Sequence, residues 1–213
     1  MGLADLLAAA ARGVYPASDG RVEVLPSPPG PADAVVAFTA HTVVAADVDR
    51  DAVAAQLPAQ SLSAPLQSPF LIWLGEQLRS DAGNVDVLLV AGRARTSEVE
   101  LIEVGDADHP RVRRAQRYRS ELRVYEPKRG GALVMVGRGL AGRFEVSIEV
   151  EPDRREKGLG CSLAQAAPAL VPGEHALFAQ VAPGNAASLR AFLAAGYRPV
   201  GAEVLFLKDQ PIG

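Results

Sequence analysis

Residues 143–160 read RFEVSIEVEPDRREKGLG, and this stretch decides the fold. Its first part alternates between apolar and polar side chains, which predicts a strand with one apolar and one acidic face. A turn at Pro152–Asp153 follows, and a glycine-punctuated loop then leads into a helix predicted to begin near Cys161. The apolar face carries Phe144, Val146, Ile148 and Val150, and the other face carries Glu145, Ser147, Glu149 and Glu151.

The loop at the end of this stretch has the composition of an anion-binding turn. Its two glycines have no Cβ, so backbone N–H groups can turn toward a ligand at the start of the helix. A helix N-terminus carries roughly half a positive charge and up to four unpaired N–H donors. The loop therefore predicts a pyrophosphate site made by Arg155, Glu156, Lys157, Gly158, Leu159 and Gly160.

Length and composition bound the class of protein. The chain has 213 residues, 48% of them hydrophobic, which is enough for one large domain or two small ones. A net charge of −3 gives no reason to expect nucleic acid or an anionic membrane as partner. Cys161 is the only cysteine, which excludes an internal disulfide, argues against a cysteine-based zinc site and favours the reducing cytoplasm. We expect no metal cofactor.

The N-terminal apolar run, residues 1–16, does not read as a membrane segment. It is too short to span a bilayer, and Asp5 stands where a signal peptide would carry positive charge. We interpret it as a short amphipathic helix with Leu3, Leu6, Leu7 and Ala10 on one side. No membrane partner is expected.

The second half of the chain has a regular strand pattern. Leu122–Glu126, Ala132–Gly137 and Arg143–Glu151 are joined by tight glycine turns, which predicts an antiparallel meander. The remaining predicted strands are Ala176–Val181 and a pair formed by Tyr197–Val200 and Glu203–Leu207.

A helix rich in arginine is predicted between Asp108 and Ser120. The carboxylate of Asp108 and the proline at 110 are typical of a helix start. This helix has three interpretations: a nucleic-acid-binding patch, a face exposed to solvent, or a helix with one arginine that reaches an anionic group of a ligand. The chain is acidic and has no aromatic interleaving beyond Tyr118, so the solvated face is favoured. The arginines are Arg111, Arg113, Arg114, Arg117 and Arg119.

Two motifs together identify a family resemblance. The first is V-x-P-x-x-R-x-x-G-x-G, from Val150 to Gly160, and the second is N-x-x-S-x-R-x-F-x-x-x-G-Y, from Asn185 to Tyr197. With the strand–helix–strand–helix–strand order around them, the chain resembles the GNAT superfamily of acetyl-CoA-dependent N-acetyltransferases over about residues 120–207.

The resemblance implies an α/β fold, a mixed and mostly antiparallel twisted sheet flanked by helices, whose fourth and fifth strands separate. The pantetheine arm of acetyl-CoA would lie in the gap against the backbone of Ile148–Val150, and its pyrophosphate on the amides of Arg155–Gly160. Residues 106–213 would form the acetyl-CoA-binding catalytic domain. Residues 1–105 either complete the sheet or are a degenerate copy of the same fold that supplies the acceptor-side wall. The second motif would add Asn185, Ser188 and Phe192 to the cofactor site.

The implied reaction is direct transfer of an acetyl or short acyl group from CoA to a primary amine, without an acyl-enzyme. It needs a neutral amine, a donor near the thioester carbonyl and a proton for the departing thiolate. Glu145 and Glu149 are the predicted bases. The alternative is that both glutamates simply face water on an exposed sheet face. A backbone N–H near Val150 or Glu151 would polarise the carbonyl.

One position departs from the family pattern. Members often carry a tyrosine at the position of Phe192, where it protonates the thiolate, and phenylalanine has no proton to give. A second hypothesis is therefore a non-catalytic acyl-CoA-binding module. Tyr197 and Tyr125 are the substitute donors considered, and Cys161 is expected to pack beside the cofactor. The acceptor is a small-molecule or peptide amine, and a homodimer is left open.

Overall fold

The computed structural model describes residues 1–58, 61–92, 99–105, 108–155 and 158–208. The chain divides into two compact units, each of which collects segments that are distant in sequence. The predicted functional division at residue 105 stays a prediction. The first unit comprises Met1–Val87, Leu140–Gly142 and Val200–Gly213, and the second comprises Leu88–Gly139 and Arg143–Pro199.

The first unit contains these helices and strands: α1 (Leu3–Ala11), β1 (Val22–Leu25), β2 (Ala32–Phe38), β3 (His41–Ala45), α2 (Arg50–Gln56), α3 (Ser68–Leu78) and most of β10 (Arg198–Leu207). The strands run in the order β1-β3-β2-β10. Strand β2 is antiparallel to β3 and to β10, whereas β1 and β3 are parallel. Helix α1 buries its predicted apolar side, because residues at this spacing share one helix face.

Strand β10 corrects one expectation. The predicted strand pair at 197–200 and 203–207 is wrong, since β10 is continuous from Arg198 to Leu207. A Cβ at Gly201 would collide with the carbonyl oxygen of Ala37 on β2. The glycine therefore allows two backbones to approach closely, and it does not mark a turn.

The second unit contains β4 (Asp86–Val90), most of which lies here, β5 (Leu101–Glu103), α4 (Pro110–Tyr118), β6 (Ser120–Pro127), β7 (Ala132–Arg138), β8 (Phe144–Val150), α5 (Leu159–Ala166), β9 (Leu177–Val181) and α6 (Ala186–Ala194). The strand order is β4-β9-β8-β7-β6-β5. Strands β5 to β8 form antiparallel neighbours, and β8 and β9 are parallel. The predicted meander and the mixed, mostly antiparallel α/β class are confirmed. No helix in the described ranges is both long and apolar enough to cross a membrane.

Helix α4 covers one face of this second sheet. Pro110 stands at its first position as predicted, but the cap is the His109 ring, which accepts the Arg111 N–H at 3.1 Å, and not the predicted Asp108 carboxylate. The helix packs its apolar side onto three neighbouring strand residues, so its arginines lie on the remaining surface and at its end. The apolar cluster consists of Val112, Ala115, Val124, Leu133 and Met135.

Candidate functional site

Strands β8 and β9 part from one another soon after they begin. Strand β8 pairs with β7 along all of its residues, from Phe144 to Val150. With β9 it pairs only at Phe144↔Leu177 and Glu145↔Phe178. Both strands continue beyond that point, so an opening lies between them. The separation of two strands that the resemblance implies is present.

Backbone groups of β8 are directed at this opening. The Glu151 N–H donates to the Gly131 oxygen at 3.0 Å, on the side of β7. Because the hydrogen-bonding direction alternates along an antiparallel strand, Ile148 and Val150 direct their N–H and C=O groups to the other side. The Val150 oxygen accepts from Arg155 Nε at 3.0 Å. The N–H and C=O of Ile148 and the N–H of Val150 therefore face the opening. No strand of the described residues pairs with them there.

The glycine loop ends in a left-handed residue. Gly158 has φ +77° and caps α5, which begins at Leu159, two residues before the predicted start at Cys161. A residue with a side chain is strained in that conformation, so glycine is needed for the chain to turn into the helix. Glu156 and Lys157, both predicted to contact pyrophosphate, lie outside the described residues.

Gly160 lies where α5, α6 and β8 meet. A Cβ there would stand 3.8 Å from both Ala191 Cβ and Val150 Cγ2, which is ordinary contact. The sheet face that carries Val150 therefore faces α5. Cys161 follows in the first turn and is half-buried. The loop, the opening and the second motif are thus neighbours, which is the arrangement that the two motifs predict.

The second motif supplies a helix cap and an aromatic pair. Asn185 accepts the Ser188 N–H at 3.1 Å, so its side chain caps α6. The buried ring of Phe192 meets the Tyr197 ring edge-on, with centroids 4.9 Å apart. The Tyr197 hydroxyl is buried and has no hydrogen-bond partner among the described residues. Burial also raises the pKa of that hydroxyl, so it keeps its proton.

Tyr125, the other substitute donor considered, is on β6. Strand β7 separates β6 from β8, so this side chain is not beside the opening. Burial raises the pKa of its hydroxyl as well. Neither tyrosine has the lowered pKa that would suit it to protonate a thiolate.

Glu145, one of the two predicted bases, is enclosed by arginines. Its side chain is 1% exposed and lies 3.1 Å from Arg119 Nε and 2.9 Å from Arg143 Nε. Burial alone would raise the pKa of this carboxyl, but the charges of Arg143 and Arg119 outweigh it and hold the pKa below its ordinary value. The carboxylate is thus ionised and also closed to solvent, so an acceptor amine cannot reach it, which argues against the general-base assignment.

Arg119 joins both sides of the opening. Besides Glu145 it donates from Nη1 to Ser147 Oγ at 2.9 Å and from Nη2 to Gln180 Oε1 at 3.3 Å. Its side chain is 8% exposed. The Gln180 amide nitrogen is also buried, and it makes no hydrogen bond of normal geometry in the described part of the chain. Gln180 is nevertheless near enough to Glu145 to lower the pKa of that carboxyl.

Sequence reasoning did not find this cluster, although two glycines carried a signal for it. A Cβ at Gly139 would overlap the Glu145 carboxylate, and one at Gly137 would stand 3.1 Å from Arg119 Cβ. Neither glycine has a positive φ. At Gly139 the cluster needs the space, whereas at Gly137 a Cβ would also stand 2.9 Å from the Ser120 carbonyl oxygen, so this glycine allows a close approach of the segment that carries Arg119.

Glu149, the second predicted base, is more accessible. Its side chain is 23% exposed, and it pairs with Arg111 Nε at 2.8 Å and with Arg155 Nη2 at 3.4 Å. It lies two residues beyond Ser147 on the same face of β8. Because part of its side chain is exposed, an acceptor in the solvent can reach it. Both glutamates are paired with arginines, so neither is an isolated carboxylate on an open sheet face.

A separate cavity of about 440 Å³ lies beside the end of α4. It is lined by residues of β5, α4 and β6 together with Gly105 and Arg119, and none of its lining residues in the described ranges comes from β8, α5 or α6. It is therefore distinct from the glycine loop. Within the described ranges, no group of three or more His, Cys, Asp or Glu side chains could hold a metal ion.

No protein-family model matches the sequence, and no curated protein matches it. Several solved structures are similar to it. An acetyltransferase from the GNAT family of Colwellia psychrerythraea is 12% identical, with a TM-score of 0.42 over 67% of this chain and 63% of that chain. A GCN5-related N-acetyltransferase from Kribbella flavida is 15% identical, with a TM-score of 0.40 over 67% and 65%.

A GCN5-related N-acetyltransferase from Sphaerobacter thermophilus is 14% identical, with a TM-score of 0.41 over 73% of this chain and 59% of that chain. The chain thus spans less than two thirds of the length of each of these proteins. At such identities and TM-scores the likeness concerns the fold alone. It says nothing of substrate or activity.

Proposed function

We propose that this chain binds acyl-CoA and transfers the acyl group from the thioester to a primary amine. The observation that carries the proposal is the parting of β8 and β9 next to a glycine-capped helix start. An opening with unpaired backbone groups suits an extended, amide-containing arm such as pantetheine. A helix N-terminus beside it suits a pyrophosphate.

The residues present fit acyl-CoA at three points. Ile148 offers a backbone donor and acceptor at the opening, and Val150 offers a donor. Gly158 and Gly160 add no side chain between the first turn of α5 and a bound anion. When bound, acyl-CoA supplies the acyl group in activated form as a thioester.

Glu149 is the residue best suited to take a proton from the acceptor. Its side chain is partly exposed to solvent, and it lies on the polar face of β8, two residues beyond Ser147, whose hydroxyl contacts Arg119. A carboxylate in that position takes the ammonium proton directly or through water, which leaves the amine neutral for attack. Glu145 instead holds Arg119 and Arg143 in place.

A non-catalytic acyl-CoA-binding module is the second candidate, and Phe192 favours it. The side chain at this position has no proton, and the nearby Tyr197 hydroxyl is buried with a raised pKa. A protein that only holds the ligand needs no group to protonate a leaving thiolate.

A release assay separates the two candidates. The full chain is incubated with acetyl-CoA and a panel of primary amines, both small molecules and peptides, and the free CoA thiol is followed. Acceptor-dependent release supports the transferase. Binding of acetyl-CoA without release from any amine supports the binding module, and absence of binding overturns both.

A further inference from the structure

The guanidinium of Arg119 crosses the opening between β8 and β9. Glu145 and Phe178 form the last pair of the two strands, and Ser147 and Gln180 each lie two residues further on. Arg119 donates to both of these, so it bridges the strands just beyond the point where they part. The bridge lies on the side of the sheet that α4 covers. Ser147 Oγ is 3.9 Å from Met135 Sδ, and Met135 belongs to the apolar cluster beneath α4.

The charge of this guanidinium is neutralised unevenly. Its Nε faces the Glu145 carboxylate at the closed end, whereas Nη1 and Nη2 meet the neutral oxygens of Ser147 and Gln180. Arginine can only donate, so Gln180 must present its amide oxygen to it. Among the described residues, no carboxylate is paired with the end of the guanidinium that faces the opening, which leaves positive potential there.

The position of Arg119 is fixed by its surroundings. It is the single residue between α4 and β6, and its N–H donates to the Ala115 oxygen at 3.0 Å. Gly139 leaves room for the Glu145 carboxylate, and Gly137 allows the Arg119–Ser120 segment to approach β7 closely. Apolar side chains of similar volume would stabilise a purely structural contact at least as well as buried charges do. A rigid, buried cation at an opening is suited to an anion.

We propose that Arg119 stabilises the negative charge that forms on the CoA sulfur during transfer, and that it acts through its charge rather than by giving a proton. This inference rests on the proposed function. In the step, the amine nitrogen forms a bond to the acyl carbon and the carbon–sulfur bond breaks with its electron pair on sulfur. The amine proton passes to Glu149 or water. A sulfur anion that is paired with a guanidinium needs no tyrosine at the position of Phe192.

Free CoA is the probe that tests this, because its thiol can ionise while it is bound. The full chain is saturated with CoA, and thiolate absorbance is followed against pH, with desulfo-CoA as the blank. A guanidinium within contact distance is expected to lower the thiol pKa by about one to three pH units from its usual value of about 8.5. Arg119→Met should return it to the usual value. Arg117→Met, which replaces an exposed arginine in the last turn of α4, should leave the lowered value unchanged.

Two further variants keep the test decisive. Arg119→Gln removes the positive charge but keeps a side chain that can hydrogen-bond to Glu145, which stays paired with Arg143, and it serves where Arg119→Met does not fold. Glu145→Gln alone should lower the thiol pKa further, because it removes the carboxylate that weakens the positive potential.

A bound thiol with an ordinary pKa, or one equally lowered without Arg119, overturns the role of Arg119 and leaves the acyl-CoA site standing. Failure of CoA to bind at all overturns the proposed function and this inference with it.

Discussion

The two faces of β8 have opposite surroundings although they belong to one strand. The face toward α5 carries Val146 and Val150, and Gly160 packs close to the second of them. The face toward α4 carries Glu145, Ser147 and Glu149, all of which contact arginines. On the α5 side the candidate ligand contacts are backbone groups. On the α4 side the side chains supply the charge.

The difference teaches that an alternating strand pattern identifies the faces but not what covers them. Glu145 and Glu149 are four residues apart on one face, yet one is 1% and the other 23% exposed. The two buried arginines Arg119 and Arg143 enclose Glu145, whereas the partners of Glu149 are exposed arginines. Charge in the sequence therefore does not distinguish a reactive carboxylate from a structural one.

The largest expected loss of stability comes from filling the space that the Glu145 carboxylate occupies beside Gly139. Gly139→Ala should lower the free energy of unfolding by about 3 kcal/mol, because its Cβ displaces the Glu145 carboxylate from both arginines. Urea unfolding measures the loss. Gly184→Ala is the control, since a Cβ there meets nothing within 4 Å. Equal stability of the two variants would show that the cluster is not held as described.

Replacing each glutamate by glutamine compares the stability that the buried Glu145 and the partly exposed Glu149 contribute. Glu145→Gln should cost about 2 kcal/mol, since it takes the charge from two buried hydrogen-bonded pairs. Glu149→Gln should cost under about 1 kcal/mol, because its pairs are partly exposed. Chemical unfolding of both variants gives the comparison, and a reversed order would contradict the burial assigned to them.

The pH dependence of stability should follow Glu145. Its pKa is lower in the folded chain than its ordinary value of 4.5, so the stability it contributes is present above that pH and is lost as pH falls through the folded value. The stability difference between wild type and Glu145→Gln should therefore be largest near neutral pH and shrink in acid. A difference that grows in acid would mean that the folded carboxyl has a raised pKa.

The catalytic part of the comparison concerns Glu149. Glu149→Gln should lower kcat roughly a hundredfold, as expected for loss of a general base, with a smaller change in KM for acetyl-CoA. Glu151→Gln, an exposed neighbour beyond the end of β8, should stay within about twofold of wild type. Steady-state release of the CoA thiol measures both. Similar rates in all three proteins would remove Glu149 from the mechanism.

The smallest expected effects are on the α5 side. Gly158→Ala should cost about 1 kcal/mol because the residue has φ +77°. Gly160→Ala should be neutral or raise stability by about 0.5 kcal/mol, because its Cβ makes only ordinary contacts inside a helix. Thermal unfolding compares them. A larger loss at Gly160 would mean that α5 packs more closely on β8 than described.

Local patterns predicted much of this fold. The meander followed from alternation and glycine turns, α1 from its apolar spacing, and the loop before α5 from two glycines. The roles of other glycines were harder to predict, because a glycine can serve a turn or a close approach. Gly201 allows contact with β2 where a break between two strands was expected, Gly139 makes room for the Glu145 carboxylate, and Gly137 allows close approach of the Ser120 backbone.

The candidate site was only partly predictable for a related reason. The opening could be expected from the two motifs, since both lie near it in sequence. Arg119, Ser147 and Gln180 come together from the end of α4 and from two separate strands, β8 and β9, and no spacing in the sequence records that contact. A solvated face was favoured for the arginines of the predicted helix, whereas the side chain of Arg119, which directly follows α4, is buried.

The central claim is that CoA binds beside Gly160 in the opening between β8 and β9. Calorimetric titration of CoA into wild type, Gly160→Trp and Gly184→Trp tests it most directly, with circular dichroism to verify that each protein is folded. We expect binding to wild type and Gly184→Trp, and an affinity at least about a hundredfold weaker in Gly160→Trp, where the indole fills the space between α5 and β8. Equal affinity in all three proteins, or no binding to wild type, would contradict the account.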